Sequence, residues 1–136
     1  MIVFLRLLFV GVIVAMLGVT TWASLGQSLG DFARGPVIRD PWVVATLFDA
    51  YFAFLAFFVW VAWKEQSHVA RALWFVALML LGNFAIAGYF LRELFAVSAR
   101  EPARDALAQV FTRRNPGALV LPGALTAAAV AVYLLA

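Results

Sequence analysis

The sequence contains no cysteine and a single histidine, His68, in 136 residues. Without cysteine there is no disulfide, no thiolate metal site and no thiol redox chemistry, which excludes the small four-helix quinone–thiol oxidoreductases. One histidine with no second histidine and no pair of carboxylates beside it does not complete a metal shell. We therefore expect His68 to be a solvated turn residue, and the sequence predicts neither a metal nor a cofactor.

The motifs of common catalytic sites are also missing. There is no serine nucleophile elbow, no glycine-rich phosphate loop and no HExxH zinc motif. Small multidrug exporters have a similar length, but the key glutamate of their first span has no counterpart in this chain. These absences favour a non-enzymatic role.

Charged residues are scarce, at 12% of the chain against about 25% in soluble domains. Hydrophobic residues make up 66%, and the mean hydropathy is +1.00. A chain of this size cannot bury so much apolar surface within itself, so the composition predicts an integral membrane protein. The net charge of +3 comes from nine arginines and one lysine against seven acids. These basic residues are scattered between apolar stretches, which argues against a nucleic-acid-binding face.

Four apolar stretches approach or exceed the roughly 20 residues that a membrane-spanning helix needs. They lie at residues 2–25, 42–63, 69–95 and 117–136. Asp40 as N-cap and Pro41 at the first helical position predict the start of the second helix. Between the third and fourth stretches, apolar residues at helical spacing predict an amphipathic helix at 102–114 in the headgroup region. The predicted fold is one all-α domain: a four-transmembrane-helix bundle with a short interfacial helix.

The distribution of basic residues predicts an orientation. In a four-span protein the connections after spans one and three share a side, and they hold seven arginines against three basic residues on the other side. The positive-inside rule then places the large connections in the cytoplasm and both termini outside. The arginine- and alanine-rich composition suggests a bacterial inner membrane. Arg104, Arg113 and Arg114 are predicted interfacial basic residues, and Lys64 and Glu65 are expected to be interfacial charges.

Asp49 is the main ionisable residue inside a predicted span, and such residues are costly in lipid and commonly functional. If spans two and three pair through the turn at 64–68, Asp49 lies level with Asn83, and Asp40 with Arg92. The predicted intramembrane polar site comprises Thr46, Asp49, Asn83 and Tyr89. Asp40 and Arg92 would form an ion pair at its mouth. The same groups are also compatible with hydrogen bonds that only hold helices together, and that interpretation is the favoured one.

The segment 40–95 resembles a family of small uncharacterised helical membrane proteins. The matching elements are Asp40-Pro41-Trp42, Thr46, Asp49, Tyr51 and Lys64-Glu65, followed by Gly82-Asn83 and Tyr89. The resemblance implies a helical membrane fold and carries no activity.

We expect a non-enzymatic accessory or assembly subunit that packs against a larger membrane protein complex. The little mass outside the predicted spans supports this function, as do small residues at the spacing that allows close helix approach. The expected partners are membrane lipids and a membrane protein or a second copy of the chain, and no nucleic acid. The alternatives are a small transporter or a lipid- or isoprenoid-site enzyme centred on Asp49, and an interfacial lipid-binding or membrane-shaping protein built on the arginine-bearing helix at 101–114.

Overall fold

The computed structural model describes residues 1–136, and its regular structure is helical. The α-helices are α1 (Ile2–Gly26), α2 (Leu29–Arg34), α3 (Pro41–Lys64), α4 (His68–Leu81), α5 (Asn83–Phe95), α6 (Ala103–Thr112) and α7 (Val120–Leu135). A 3₁₀ helix covers Pro36–Arg39. The chain forms no strand, and its one β-type pairing is a bridge between Glu65 and Asn115. The all-α prediction is confirmed.

Two of these helices, α1 and α3, are long and apolar enough to cross a membrane by length and composition. They contain 25 and 24 residues, or about 36 Å each at about 1.5 Å per residue. The start of α3 is as predicted, because the Asp40 carboxylate accepts hydrogen bonds from the Trp42 and Val43 N–H groups and Pro41 takes the first turn. The other apolar helices are shorter, so the four-span bundle is not confirmed.

The stretch 69–95, predicted as one helix, is instead a helical hairpin formed by α4 and α5. The Trp74 and Tyr89 rings lie 4.8 Å apart, whereas 15 residues of a continuous helix would separate them by about 22 Å. The chain reverses at Gly82, which has φ +50° and ψ −117°. That backbone conformation is available to glycine and strained for other residues. The prediction of a single third span is therefore corrected.

The helices give the molecule two distinct ends. The α6 end contains the start of α1, the ends of α3 and α5, and α6 itself. Lys64 Nζ there donates to Glu93 Oε2 at 2.6 Å and to the Val110 carbonyl oxygen, and Ile2 packs in one apolar cluster with Leu94. The α2 end contains the end of α1, α2, the 3₁₀ helix and the C-terminus. At that end a Cβ added to Gly30 would lie 2.7 Å from the carbonyl oxygen of Ala136.

The buried core lies in the half of the molecule nearest the α6 end. One apolar cluster joins α3, α4 and α5 and comprises Val61, Trp74, Ala77, Leu78, Ala85 and Tyr89. A second joins α1, α5 and α6 and comprises Ile2, Leu94, Val97, Ala106 and Val110. α7 packs along α4, with the Thr126 and Tyr133 hydroxyls donating to the Leu73 and Leu80 carbonyls at 3.0 Å each. Packing therefore concentrates around the hairpin.

The hairpin also changes where the termini lie. α1 starts at the α6 end, and the chain ends beside Gly30 at the α2 end. The two termini therefore lie at opposite ends of the molecule, which corrects the prediction that they share a side. The helix predicted at 102–114 corresponds to α6, Ala103–Thr112, and it buries Ala106 and Val110 of the predicted apolar face.

We predict that Gly82→Ala destabilises the fold by about 1–3 kcal/mol, the range for a residue held in a sparsely populated backbone region. A Cβ at this position would also lie 2.5 Å from Cζ of the Phe54 ring. Chemical denaturation of the purified protein, followed by circular dichroism, measures the loss.

Gly18→Ala is the matched control, because Gly18 lies within α1 and a Cβ there meets nothing within 4 Å. We expect it to be neutral or stabilising by about 0.5–1 kcal/mol, the helix-interior difference between alanine and glycine. Equal stability of Gly82→Ala and the native protein would show that the turn does not require glycine.

Candidate functional site

The most organised polar site is a buried ion-pair network at the α6 end. Two adjacent charged pairs meet there: Lys64-Glu65 at the end of α3 and Arg92-Glu93 in the last turn of α5. Lys64 Nζ lies 2.6 Å from Glu93 Oε2, and Arg92 forms an ion pair with Glu65. Arg92 also contacts Glu93 Oε1 at 2.8 Å. Each carboxylate thus faces the cation of the other helix.

These charges lie in the protein interior. The side chains of Lys64, Glu65 and Glu93 have no exposed surface, and that of Arg92 is 19% exposed. Removing a charge from water is costly unless an opposite charge and hydrogen bonds compensate for it. The positive charges of Lys64 and Arg92 together compensate for the negative charges of the two buried carboxylates. The compensation therefore depends on all four residues being present.

Neutral donors add hydrogen bonds to the network. The Asn115 side-chain amide donates to Glu65 Oε1 at 2.9 Å and to Glu93 Oε1 at 2.8 Å. The Tyr89 hydroxyl donates to Glu65 Oε1 at 2.9 Å. The Asn115 backbone is held as well, since its N–H donates to the Lys64 carbonyl at 2.8 Å and its carbonyl accepts from the Gln66 N–H at 3.0 Å. The network thereby attaches the segment before α7 to the end of α3.

Arg113 extends the network to the surface. Its guanidinium lies 3.4 Å from Glu93 Oε2, and its side chain is 38% exposed. Two buried polar atoms lack a protein partner: Glu65 Oε2 and Trp74 Nε1. Because Lys64 and Arg92 already neutralise both carboxylates, the network resembles a structural clamp more than a substrate site.

The predicted polar site around Asp49 is not assembled. Asp49 lies 16 residues before Glu65 on the same helix, a separation of about 24 Å, whereas Tyr89 bonds directly to Glu65. Asp49 and Asn83 are both exposed. The Thr46 hydroxyl donates to the Trp42 carbonyl of its own helix at 2.8 Å. Tyr89 thus belongs to the network and not to a site with Asp49.

The predicted ion pair between Asp40 and Arg92 is also corrected. The Asp40 carboxylate caps the start of α3, accepting from the Trp42 N–H at 2.9 Å. Arg92 lies at the other end of α3, where it pairs with Glu65 and Glu93. The prediction failed because it assumed that residues 69–95 cross the molecule once. The chain instead turns back at Gly82, so Arg92 returns to the end of α3 where Glu65 lies.

The three predicted interfacial arginines all lie near α6 but differ in their contacts. Arg113 reaches Glu93 of the network. Arg114 stacks over the Trp63 ring with its guanidinium carbon 5.3 Å from the ring centroid. Arg104 is exposed and takes part in no salt bridge.

Sequence reasoning missed the network because it treated Lys64 and Glu65 as interfacial charges. One signal was present: two adjacent pairs of opposite charge, Lys64-Glu65 and Arg92-Glu93, each end an apolar helix. Two such pairs can neutralise one another across a helix contact. Asn115 lies 22 residues beyond Glu93, and no local pattern connects it with the other residues.

The fold and the network define an all-α protein whose short helical hairpin is joined to the end of the long helix α3 by buried ion pairs and to the long helix α1 by apolar packing. Residues 1–114 match the family described as protein of unknown function (DUF1475), and the chain belongs to that family. The match covers α1 and α6 as well as the segment 40–95, and it ends one residue before Asn115. No curated protein and no solved structure matches the chain.

We predict that Lys64→Met destabilises the protein by about 3–5 kcal/mol, because removing one partner of a buried pair leaves the other charge uncompensated. In the double variant Lys64→Met/Glu93→Gln the uncompensated charge is gone, and we expect part of the stability to return. Urea denaturation of the four members of this double-mutant cycle measures the coupling.

Arg114→Met is the control, since Arg114 is exposed, makes no salt bridge and stacks over the ring of Trp63, which is 48% exposed. We expect a loss of less than about 1 kcal/mol, the usual range for an exposed cation–π contact. Additive losses in Lys64→Met and Glu93→Gln would contradict the assignment of a coupled network.

Proposed function

We propose that this protein is an integral membrane accessory subunit that binds a larger membrane protein through the exposed face of α3. The observation that carries the proposal is the exposed, unpaired carboxylate of Asp49. This carboxylate lies in a long apolar helix, is exposed, and is absent from all four salt bridges of the chain.

Insertion in a membrane is supported by the apolar surface of the two long helices. Trp22 and Leu25 in α1, and Trp42 and Val59 in α3, are each at least 70% exposed. Monomeric proteins in water rarely expose contiguous apolar surface on this scale, and such patches mark contact with lipid or with another protein. The two helices are each about 36 Å long, which is enough to cross a hydrocarbon core of about 30 Å.

The position of Asp49 makes its exposure costly in lipid. It lies eight residues after Pro41, about 12 Å along the helix, and therefore inside the apolar stretch. An aspartate at the centre of a membrane helix costs about 2.5–3.5 kcal/mol on insertion scales. Since no group of this chain offsets that cost, a hydrogen-bond donor or cation on another membrane helix would offset it.

The surroundings of Asp49 suit a helix partner. Ala45, Ala53 and Ala56 share its helical face, and all three are exposed. Small residues at this spacing let a second backbone approach closely. α3 also extends past the hairpin, because Phe54 is the residue next to Gly82. Of residues 41–53, only Val43 and Ala50 are partly buried, so this half of α3 is free to bind a partner.

A different protein fits this face better than a second copy. A two-fold symmetric contact places the same patch of each subunit against the other. Two Asp49 carboxylates would then approach one another, and like charges in one site disfavour ionisation. A transporter or lipid-site enzyme centred on Asp49 has less support, because Tyr89 lies at the other end of α3 and Thr46 bonds within its own helix.

Purification of tagged protein in a mild detergent, with mass spectrometry of what is retained, tests the proposal. We expect the native chain to retain a membrane protein in stoichiometric amount and Asp49→Leu to lose at least 90% of it. Because the exposed Asp49 side chain makes no salt bridge within the chain, Asp49→Leu should leave the melting temperature of the isolated protein unchanged within about 2 °C, less than the shift that 1 kcal/mol produces in a domain of this size.

Val59→Leu is the matched control, because Val59 is an apolar α3 residue that is 70% exposed. We expect this variant to retain the partner. Recovery of the native chain alone or only as a homo-oligomer would overturn the proposal. So would partner retention by Asp49→Leu, or unfolding of that variant, since unfolding would mean that Asp49 has a purely architectural role.

A further inference from the structure

The two ends of the molecule carry very different charge. At the α6 end the structure gathers eight basic and four acidic side chains, a net charge of +4. The basic residues are Arg6, Lys64, Arg71, Arg92, Arg100, Arg104, Arg113 and Arg114. The acidic residues are Glu65, Glu93, Glu101 and Asp105. The α2 end carries two basic residues, Arg34 and Arg39, against Asp31 and Asp40, and is neutral.

This division follows from the hairpin. In a four-span arrangement, Lys64 and Arg100 would lie on opposite sides of a membrane. In the structure α4 leaves the α6 end and α5 returns to it, so Lys64 lies beside Glu93 and Val110. The connection at 65–67 and the segment 96–116 are therefore at the same end, and the charge difference between the two ends becomes +4 against 0.

Several basic groups of the α6 end are already engaged. Lys64 and Arg92 are paired with the buried carboxylates, and Arg6 donates to the Leu94 and Val97 carbonyls at 2.8 Å. Arg100, Arg104 and Arg114 are exposed and make no salt bridge. These three arginines are the exposed basic residues of this end, since Arg6, Arg71 and Arg113 are partly buried.

Aromatic side chains lie beside these arginines. Arg114 stacks on Trp63, which is 48% exposed, and Phe111 of α6 is 47% exposed. A surface that combines free arginines with half-exposed tryptophan and phenylalanine suits the boundary between headgroups and acyl chains. Phosphate is the anion of that boundary, and guanidinium groups bind it with paired hydrogen bonds.

We propose that the α6 end is cytoplasmic and that Arg100, Arg104 and Arg114 bind the anionic phospholipid headgroups of the cytoplasmic leaflet. The N-terminus then lies in the cytoplasm and the C-terminus on the opposite side. This inference rests on the membrane insertion put forward above and is independent of the Asp49 partner. Anionic lipid attracts each nearby basic residue by about 1 kcal/mol, and the positive-inside rule acts on short connections such as these.

The absence of native cysteine allows a direct test of orientation. Ala99→Cys reports on the α6 end and Gln27→Cys on the α2 end, and both positions are exposed. In intact bacterial spheroplasts, a membrane-impermeant maleimide should label Gln27→Cys at once and Ala99→Cys only after permeabilisation. The reverse pattern, or equal labelling of both, would overturn the inference. Absence of the protein from the membrane fraction would instead overturn the proposed function.

Binding to vesicles tests the headgroup contact. With the detergent-purified protein, we expect binding to vesicles of 30% phosphatidylglycerol in phosphatidylcholine to exceed binding to pure phosphatidylcholine. Arg100→Gln/Arg104→Gln should reduce that preference by roughly tenfold or more, as two basic contacts at the surface predict. Arg34→Gln/Arg39→Gln removes the same charge from the α2 end and should leave the preference for anionic vesicles unchanged. Equal effects of the two double variants would overturn the assignment to the α6 end.

Discussion

The rest of the structure depends on the crossed ion pairs between Lys64-Glu65 and Arg92-Glu93. Buried charges of this kind are stable only together, because each one without its partner would be an uncompensated charge in a medium of low dielectric. Satisfying all four requires the end of α5 to return to the end of α3. The reversal at Gly82, the hairpin and the position of Asn115 are all consistent with that single requirement.

One consequence is an uneven distribution of packing along the molecule. The hairpin helices have 14 and 13 residues, about 20 Å each, so they accompany only part of the length of α1 and α3. Near the α6 end the helices share two apolar clusters and the network. In the other half of α3, residues 41–53, most side chains are exposed. A densely packed half and a sparsely packed half are thus built from the same two long helices.

Some polar residues have hydrogen-bond or ion-pair partners within the chain, and others do not. Tyr89, Arg92 and Asn115 find partners within the network. Asp49 and Asn83 are exposed, and neither takes part in the network. With α3 inserted in a membrane as proposed, Asp49 is a carboxylate in the apolar layer that its own chain does not satisfy, which points to a group outside the chain. For that reason the proposed partner contact is assigned to α3 and not to the more elaborate network.

Composition and periodicity were sufficient to predict an all-α fold, the start of α3 at Asp40 and Pro41, and the short amphipathic helix α6. These features depend on local capping and on residue spacing, which a sequence records directly. The path of the chain after Leu81 was decided by tertiary structure. Residues 69–95 have the length and hydropathy of one span. Gly82 alone does not reveal that the chain turns back there, unless the partners of Arg92 and Glu93 are known. Those partners, Lys64, Glu65 and Asn115, lie more than 20 residues away along the chain, and charge compensation in the interior is a property of the folded whole.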